Sequence, residues 1–337
     1  MNLADLLASD TILDRAYAWL CQQRRRWPDA ADAWSFRHDW PVERARLQAE
    51  LRGRDFRFGL QERVTRGNCE QIDLWSARDA LVLKALAEVL GDLLPISRRC
   101  VHVKGHGRAK AAVRQVMRQL PSARFVLKTD VASYYASIDH VKLLDRLAAV
   151  IPDRDVLNLV GQMCGRVAER GGLYFEHRRG IPLGCPLSPL LGAFFLAALD
   201  ARLEETGLFF VRYMDDVIVL APTRHKLRHA VKIVNETLTE LGLTKAHPNT
   251  FIGRVERGFD FLGYHLAPGR LTLSRATVER FLERAHRLYE QERGKPEGFP
   301  RLGAYVRRWQ RWTTAGIHEI TLSPSEAIWL TGYGSFA

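Results

Sequence analysis

Phe209-Phe210-Val211-Arg212-Tyr213-Met214-Asp215-Asp216-Val217-Ile218-Val219-Leu220 sets two apolar runs on either side of adjacent carboxylates. The flanks are β-branched and aromatic, and they have the length of strands. Asp-Asp between them reads as a tight hairpin turn, because Asp side chains bond the local backbone. Such a hairpin holds both acids at the rim of a sheet. Taken alone, the pair reads first as a polar turn. Neighbouring acids repel unless a cation lies between them or solvent screens them. A second apolar run, Phe125-Val126-Leu127-Lys128-Thr129-Asp130-Val131, delivers another carboxylate at its end. Acids at the ends of buried strands suit a two-cation phosphoryl-transfer site. Hard oxygen ligands bind Mg²⁺, and two ions clamp the attacking and leaving oxygens.

The 337 residues have room for two or three domains, and 47% apolar content supports a packed core. Lys and Arg number 50 against 38 Asp and Glu, a net charge of +12. A chain this basic most often meets nucleic acid or an anionic membrane. Met1-Asn2-Leu3-Ala4-Asp5 lacks the basic-then-apolar order of a signal peptide, and no uncharged apolar run reaches spanning length. Cys21, Cys69, Cys100, Cys164 and Cys185 form no Cys-x-x-Cys pair, so neither a zinc site nor a disulfide framework is indicated. The expectation is a cytoplasmic protein with reduced thiols and no membrane partner.

Along the chain, residues 5–26 are expected to form one helix closed by Arg24-Arg25-Arg26. A surface loop follows over 27–41, then a helix over 42–52. Residues 54–72 suit a hairpin with arginines on one side. Ser76, with Asp79 three residues on, is placed to cap a helix running to Leu94. Gly105 and Gly107 sit among basic side chains, where a backbone can approach phosphates, yet no Gly-Lys-Ser/Thr follows. Tyr134 and Tyr135 follow the Asp130 strand; Tyr134 is the better core residue, and Tyr135 can close over a substrate. Residues 141–170 read as two helices. The loop Gly180-Ile181-Pro182-Leu183-Gly184 leads to Ser188-Pro189, expected as N-cap and first helical residue of a buried helix. An amphipathic helix spans 223–241, short strands lie at 251–252 and 258–266, and helices lie at 274–291 and 303–316. In the last of these, Trp309 and Trp312 serve either a nucleic-acid groove or a core.

Four blocks then stand in order: Asp130 with Tyr134-Tyr135; Gly180-Ile181-Pro182-Leu183-Gly184 running into Leu187-Ser188-Pro189-Leu190; Tyr213-Met214-Asp215-Asp216; and Phe261-Leu262-Gly263-Tyr264. Together they resemble a bacterial reverse transcriptase of the kind related to group II intron-encoded proteins, over residues 54–315. The resemblance implies an α+β fold: a right-hand polymerase with fingers, a palm of antiparallel sheet backed by helices, and a helical thumb. It implies a helical extension over 1–53, fingers over 54–120, palm over 121–268, thumb over 269–320 and a tail over 321–337.

It also implies an RNA-directed DNA polymerase that adds dNTPs to a primer 3′-hydroxyl by two-metal-ion nucleotidyl transfer. Asp130, Asp215 and Asp216 would be the catalytic acids and metal ligands, with the Val131 carbonyl completing one shell. The cofactor would be two Mg²⁺ ions, with Mn²⁺ as the alternative. Tyr135 falls at the place of a steric gate against a ribose 2′-hydroxyl, Arg78 at a triphosphate contact and Leu183 beside the nucleotide. Phe261, Leu262 and Gly263 would form the primer grip. The implied partners are an RNA template, a DNA or RNA primer and dNTPs.

Three positions depart from the family pattern. Leu183 stands where Gln is common, Asn249 where Lys often precedes Thr250, with Lys245 as the substitute cation, and Asn68-Cys69-Glu70-Gln71 lacks the usual basic residues. No endonuclease-like segment or Cys/His cluster follows the thumb, so a free-standing enzyme is expected, with antiviral defence as one role and a dedicated non-coding RNA or effector protein as its partner. The alternatives are a non-catalytic RNA-binding or splicing cofactor, which the presence of all three acids disfavours, and a template-independent DNA polymerase.

Overall fold

The structure, a computed structural model, describes residues 2–28, 31–65, 71–295 and 298–315. Asn68, Cys69 and Glu70 and the expected tail over 321–337 lie outside the described residues. The chain falls into two compact units. One comprises residues 1–97, 131–202 and 234–245; the other comprises 98–130, 203–233 and 246–337.

In the first unit, the single helix expected over 5–26 is two, Leu3–Leu7 and Asp10–Gln23. Ser9 interrupts them because its side chain accepts the Ile12 N–H and caps the second. The surface loop expected over 27–41 contains a helix, Asp32–His38, with Asp32 in its first turn, Arg37 and His38 in its last, and Ala33 and Phe36 buried. Arg24 is buried rather than solvated. It pairs with Asp32 at 3.1 Å and donates to the Trp75 carbonyl at 2.6 Å. Ser76 caps the helix Ala77–Gly91 through the Asp79 N–H at 3.0 Å, but the Asp79 carboxylate takes the Gly59 N–H instead of completing a capping box.

The hairpin expected from residue 54 begins only at Gln61–Thr65, paired antiparallel with Gln71–Leu74. Its arginines are not a common face. Arg63 pairs with Asp73 at 2.7 Å, while Arg57 donates to the carbonyls of Arg54 and Phe56. Strands Val167–Arg170 and Leu173–Glu176 join this sheet where helix had been expected to reach residue 170. Gly171 and Gly172, at φ +58° and +82°, turn between them.

The buried helix Ser188–Phe195 is present, but its N-cap is Leu187. The Ser188 hydroxyl donates to the Pro182 carbonyl at 2.7 Å and so braces the preceding loop. That loop packs on the short helix Tyr134–Ser137. The Ile181 N–H donates to the Tyr135 carbonyl at 2.8 Å, and the Gly180 N–H donates to that of Ile138 at 2.8 Å. Gly180 has φ +81°, and a Cβ there would lie 2.8–2.9 Å from backbone atoms of Tyr135 and Ala136. Tyr134 is a core residue, its hydroxyl donating to the Gly192 carbonyl at 2.6 Å.

The second unit holds the four-stranded sheet ordered Phe209–Tyr213, Asp216–Ala221, Phe125–Thr129, Phe251–Arg254, all neighbours antiparallel. The helix Arg108–Gln119 buries Val113 and Val116 in a core shared with Val211, Ile218 and Leu220. A three-stranded sheet follows, Phe259–Phe261, Tyr264–Ala267 and Arg270–Leu273. The helices Arg275–Glu292 and Pro300–Thr314 meet through Phe281 and Trp309, whose rings stack at 4.0 Å, and through Leu288, Leu302 and Val306. Trp309 is thus core-facing, whereas Trp312 is 41% exposed and stacks on Tyr264 at 5.6 Å. Among the described residues, no helix is long and apolar enough to cross a membrane.

Lys110 ties this unit together. Its ammonium donates to the Tyr264 hydroxyl and to the Trp312 and Thr313 carbonyls, above the rings of Tyr264 and Trp312. Burial, with Arg114 nearby, pulls its pKa down to about 8. The unfolded chain, with an ordinary lysine near 10.4, then binds more protons than the folded one above pH 8, so this group makes stability rise from about pH 8 to about pH 10.4. Urea unfolding at pH 7.5 and 9.5 should show wild type gaining stability relative to Lys110→Met at the higher pH; a constant difference contradicts it. Separately, Gly180→Ala is expected to destabilise the chain by about 1–3 kcal/mol in the same assay, since neither its φ nor its contacts admit a Cβ.

Candidate active site

The hairpin turn lies one residue earlier than composition suggests. Tyr213 pairs with Asp216, so the two-residue loop is Met214–Asp215 and Asp216 belongs to the strand. Met214 has φ +58°, which costs a non-glycine residue about 1–2 kcal/mol. Its N–H donates to His102 Nδ1 at 2.9 Å, and its carbonyl accepts from the Arg212 guanidinium at 2.7 Å.

The central strand supplies the third acid. Thr129 pairs with Val217, and extending that register by one residue sets Asp130 opposite Asp216. On the other side Lys128 pairs with Phe251, and the chain runs back to Asn249. Asn249 Nδ2 donates to Asp130 Oδ2 at 2.9 Å, while Thr129 and Thr250 share a hydroxyl bond at 2.8 Å below it. Asp130 Oδ1 and Asp216 Oδ1 are buried and have no hydrogen-bond partner among the described residues. The nearest cation is Lys128, with Nζ 4.0 Å from Asp216 Oδ1. Burial pushes the Asp216 carboxyl up to about 7; Lys128 opposes this, while the charges of Asp130 and Asp215 reinforce it.

Two carboxylate oxygens without hydrogen-bond partners among the described residues, one of them on an acid whose proton affinity is raised, are a donor set suited to a hard divalent cation. Among the described residues no three His, Cys, Asp or Glu side chains close into a metal cage. An open half-shell is the usual arrangement for Mg²⁺, which keeps water and substrate phosphate among its ligands.

The same cleft, about 880 Å³, runs from Asp130, Asp216 and Asn249 to Phe261, Leu262 and Gly263, with Trp309 and Trp312 on its wall. Phe261 pairs with Tyr264, so Leu262–Gly263 is a two-residue turn with φ +48° and +88°. A Cβ at Gly263 would lie 3.0 Å from the Trp312 ring, so glycine lets the turn approach the helix Pro300–Thr314.

The residues expected around the nucleotide lie in the other unit. Tyr135 and Leu183 sit on the two segments joined at Ile181, with Leu183 64% exposed. Arg78 is ion-paired with Glu50 and lies over the Phe56 ring at 4.7 Å. Val131, beyond Asp130, is buried and bridges to Lys245.

Residues 79–266, more than half of the chain, match the family described as reverse transcriptase (RNA-dependent DNA polymerase). The chain belongs to that family. It is similar to the group II intron-encoded protein LtrA of Lactococcus lactis subsp. cremoris, at 25% identity over 130 residues, 39% of this chain and 21% of LtrA. The match therefore spans about a fifth of that relative's length. Solved structures similar to it include a partial Cas6-RT-Cas1–Cas2 complex, at TM-score 0.44 and 20% identity over 71% of this chain and 42% of that one. Another is the telomerase of Candida albicans in complex with a TWJ fragment of telomeric RNA, at TM-score 0.48 and 13% identity over 76% and 50%.

The reverse transcriptase match includes Asp130, Tyr135, Leu183, Asp215, Asp216 and the turn after Phe261; Arg78 lies just before it. Sequence reasoning missed His102 and Arg212. An arginine inside an otherwise apolar strand was the available signal for Arg212; His102 gave none, because its contact with Met214 crosses 112 positions. Asn249, read as a missing lysine, turns out to hold one Asp130 oxygen.

Asn249→Lys would place an ammonium beside the acids and relieve their repulsion. Thermal unfolding without metal should show a gain of about 0.5–1 kcal/mol, and Mn²⁺ binding should weaken. Unchanged stability and unchanged Mn²⁺ affinity would contradict this account of the acids.

Proposed function

We propose that this chain is an RNA-directed DNA polymerase that extends a primer on an RNA template from dNTPs, with Asp130, Asp215 and Asp216 as its catalytic acids. The observation that carries the reading is the pair of buried oxygens on Asp130 and Asp216, without hydrogen-bond partners among the described residues and set opposite each other by strand register. The primer 3′-hydroxyl attacks the α-phosphorus of a dNTP, and pyrophosphate leaves. When bound, two Mg²⁺ ions activate that hydroxyl and neutralise the triphosphate. The Val131 carbonyl is a further ligand in this reading, and Mn²⁺ is an alternative ion.

The protein's own work is positioning and electrostatics. Asn249 fixes one Asp130 oxygen, and the other has no hydrogen-bond partner among the described residues. The Leu262–Gly263 turn, lining the same cleft, seats the primer strand. Tyr135 excludes a ribose 2′-hydroxyl, Leu183 packs beside the nucleotide, and Arg78, once released from Glu50, contacts the triphosphate. In this reading the fingers comprise 54–120, the palm 121–268 and the thumb 269–320, behind a helical extension over 1–53. The setting is cytoplasmic, and a role in antiviral defence would add a dedicated non-coding RNA or an effector protein.

Purified protein with Mg²⁺ and dNTPs should extend a DNA primer on an RNA template, and Asp215→Asn should lower the rate by about a thousandfold with template binding retained. Extension without any template would move the reading to template-independent synthesis. RNA binding with no incorporation, even with co-purified RNA added back, would favour the non-catalytic RNA-binding alternative.

A further inference from the structure

Both backbone polar groups of Met214 are held by side chains: the N–H by His102 Nδ1 at 2.9 Å and the carbonyl by Arg212 at 2.7 Å. Accepting an amide proton requires Nδ1 to be bare, with the ring proton on Nε2. Arg212 is 0% exposed, and a guanidinium is costly to bury. Its backbone is bound on both sides to the segment before His102. The Arg212 N–H donates to the Arg99 carbonyl at 2.9 Å, and the Val101 N–H donates to the Arg212 carbonyl at 2.9 Å. This bridge brings the His102 ring edge-on to Tyr213, with centroids 5.8 Å apart.

The arrangement answers a specific difficulty. Met214 occupies a conformation that favours glycine, and the acids beyond it repel one another and Asp130. Backbone preference and like-charge repulsion both act to open the turn. We propose that His102 and Arg212 are positioning residues for the catalytic hairpin: by holding Met214 from inside the fold, they fix the direction in which Asp215 and Asp216 present their oxygens. The proposal rests on the metal-ion reading of the acids.

Two full-length variants separate the acceptor from the ring. His102→Phe keeps a ring beside Tyr213 and removes the acceptor; His102→Asn keeps an acceptor at the δ position and removes the ring. Mn²⁺ binding is measured by electron paramagnetic resonance on protein free of nucleic acid, with kcat and dNTP KM measured in parallel. His102→Phe should bind Mn²⁺ about tenfold more weakly and lose kcat with KM held within about twofold, and His102→Asn should stay within about threefold of wild type. A loss in His102→Phe no greater than that in His102→Asn overturns the proposal. Should His102→Phe fail to fold, His102→Asn decides alone: near-wild-type affinity supports the proposal, and a tenfold loss overturns it. Wild-type protein that binds no Mn²⁺ overturns this proposal and the metal reading together, whereas unchanged binding in His102→Phe overturns this proposal only.

Discussion

The site depends on the pairing of Phe125–Thr129 on both of its edges. A strand with one neighbour can slip, whereas a strand between two neighbours must break both ladders to do so. A slip of one residue also turns every side chain to the opposite face. Val126 and Leu127 point to opposite sides of this strand and are both buried, so either face penalises the shift. That double constraint puts Asp130 between Asp216 and Asn249, where the Asn249 amide then fixes one of its oxygens. The placement of these carboxylates follows from hydrophobic burial several residues away from them.

The electrostatics of the cleft are unbalanced by construction. The protein offers Asp216 one lysine at 4.0 Å and offers Asp130 a neutral amide. A lysine in place of Asn249 would come closer to neutralising the acids and would leave a smaller field for a divalent ion. The buried Arg212 guanidinium donates to the Met214 carbonyl. Burial and like charge raise the proton affinity of Asp216, the condition under which a carboxylate attracts an external cation.

How far the sequence was legible follows from the range of the forces involved. The strands ending at Asp130 and flanking Met214–Asp215 were readable because apolar, β-branched runs are a local signal. The hairpin turn was misplaced by one residue because register is set by the partner strand, which composition does not encode. Val167–Arg170 and Leu173–Glu176 escaped because each is only four residues long and the apolar Leu173 and Tyr174 are exposed, so no inside–outside alternation marks them, although Gly171-Gly172 marked the turn. The helix Asp32–His38 escaped because Pro28 and Pro41 suggested a break throughout, while Asp32 is fixed by Arg24 and by the Ala77 N–H. The acids and the Leu262–Gly263 turn were legible as motifs. The side chains that hold them were not, since His102 meets Met214 and Asn249 meets Asp130 only after folding.

The two turns that line or adjoin the cleft solve the same backbone problem differently. Leu262–Gly263 and Met214–Asp215 are both two-residue hairpin loops that begin with a large apolar residue at positive φ. Leu262 packs against the apolar core of its unit, and the following glycine takes the second positive φ without strain. At Met214–Asp215 only the first residue has a positive φ, so the strain sits on Met214 itself and not on the acid that follows it. There the backbone is held by His102 and Arg212, drawn from a segment about a hundred residues away and from the preceding strand. Neither turn has glycine at its first position: Leu262 is steadied by packing against the core, and Met214 by hydrogen bonds to both of its backbone polar groups.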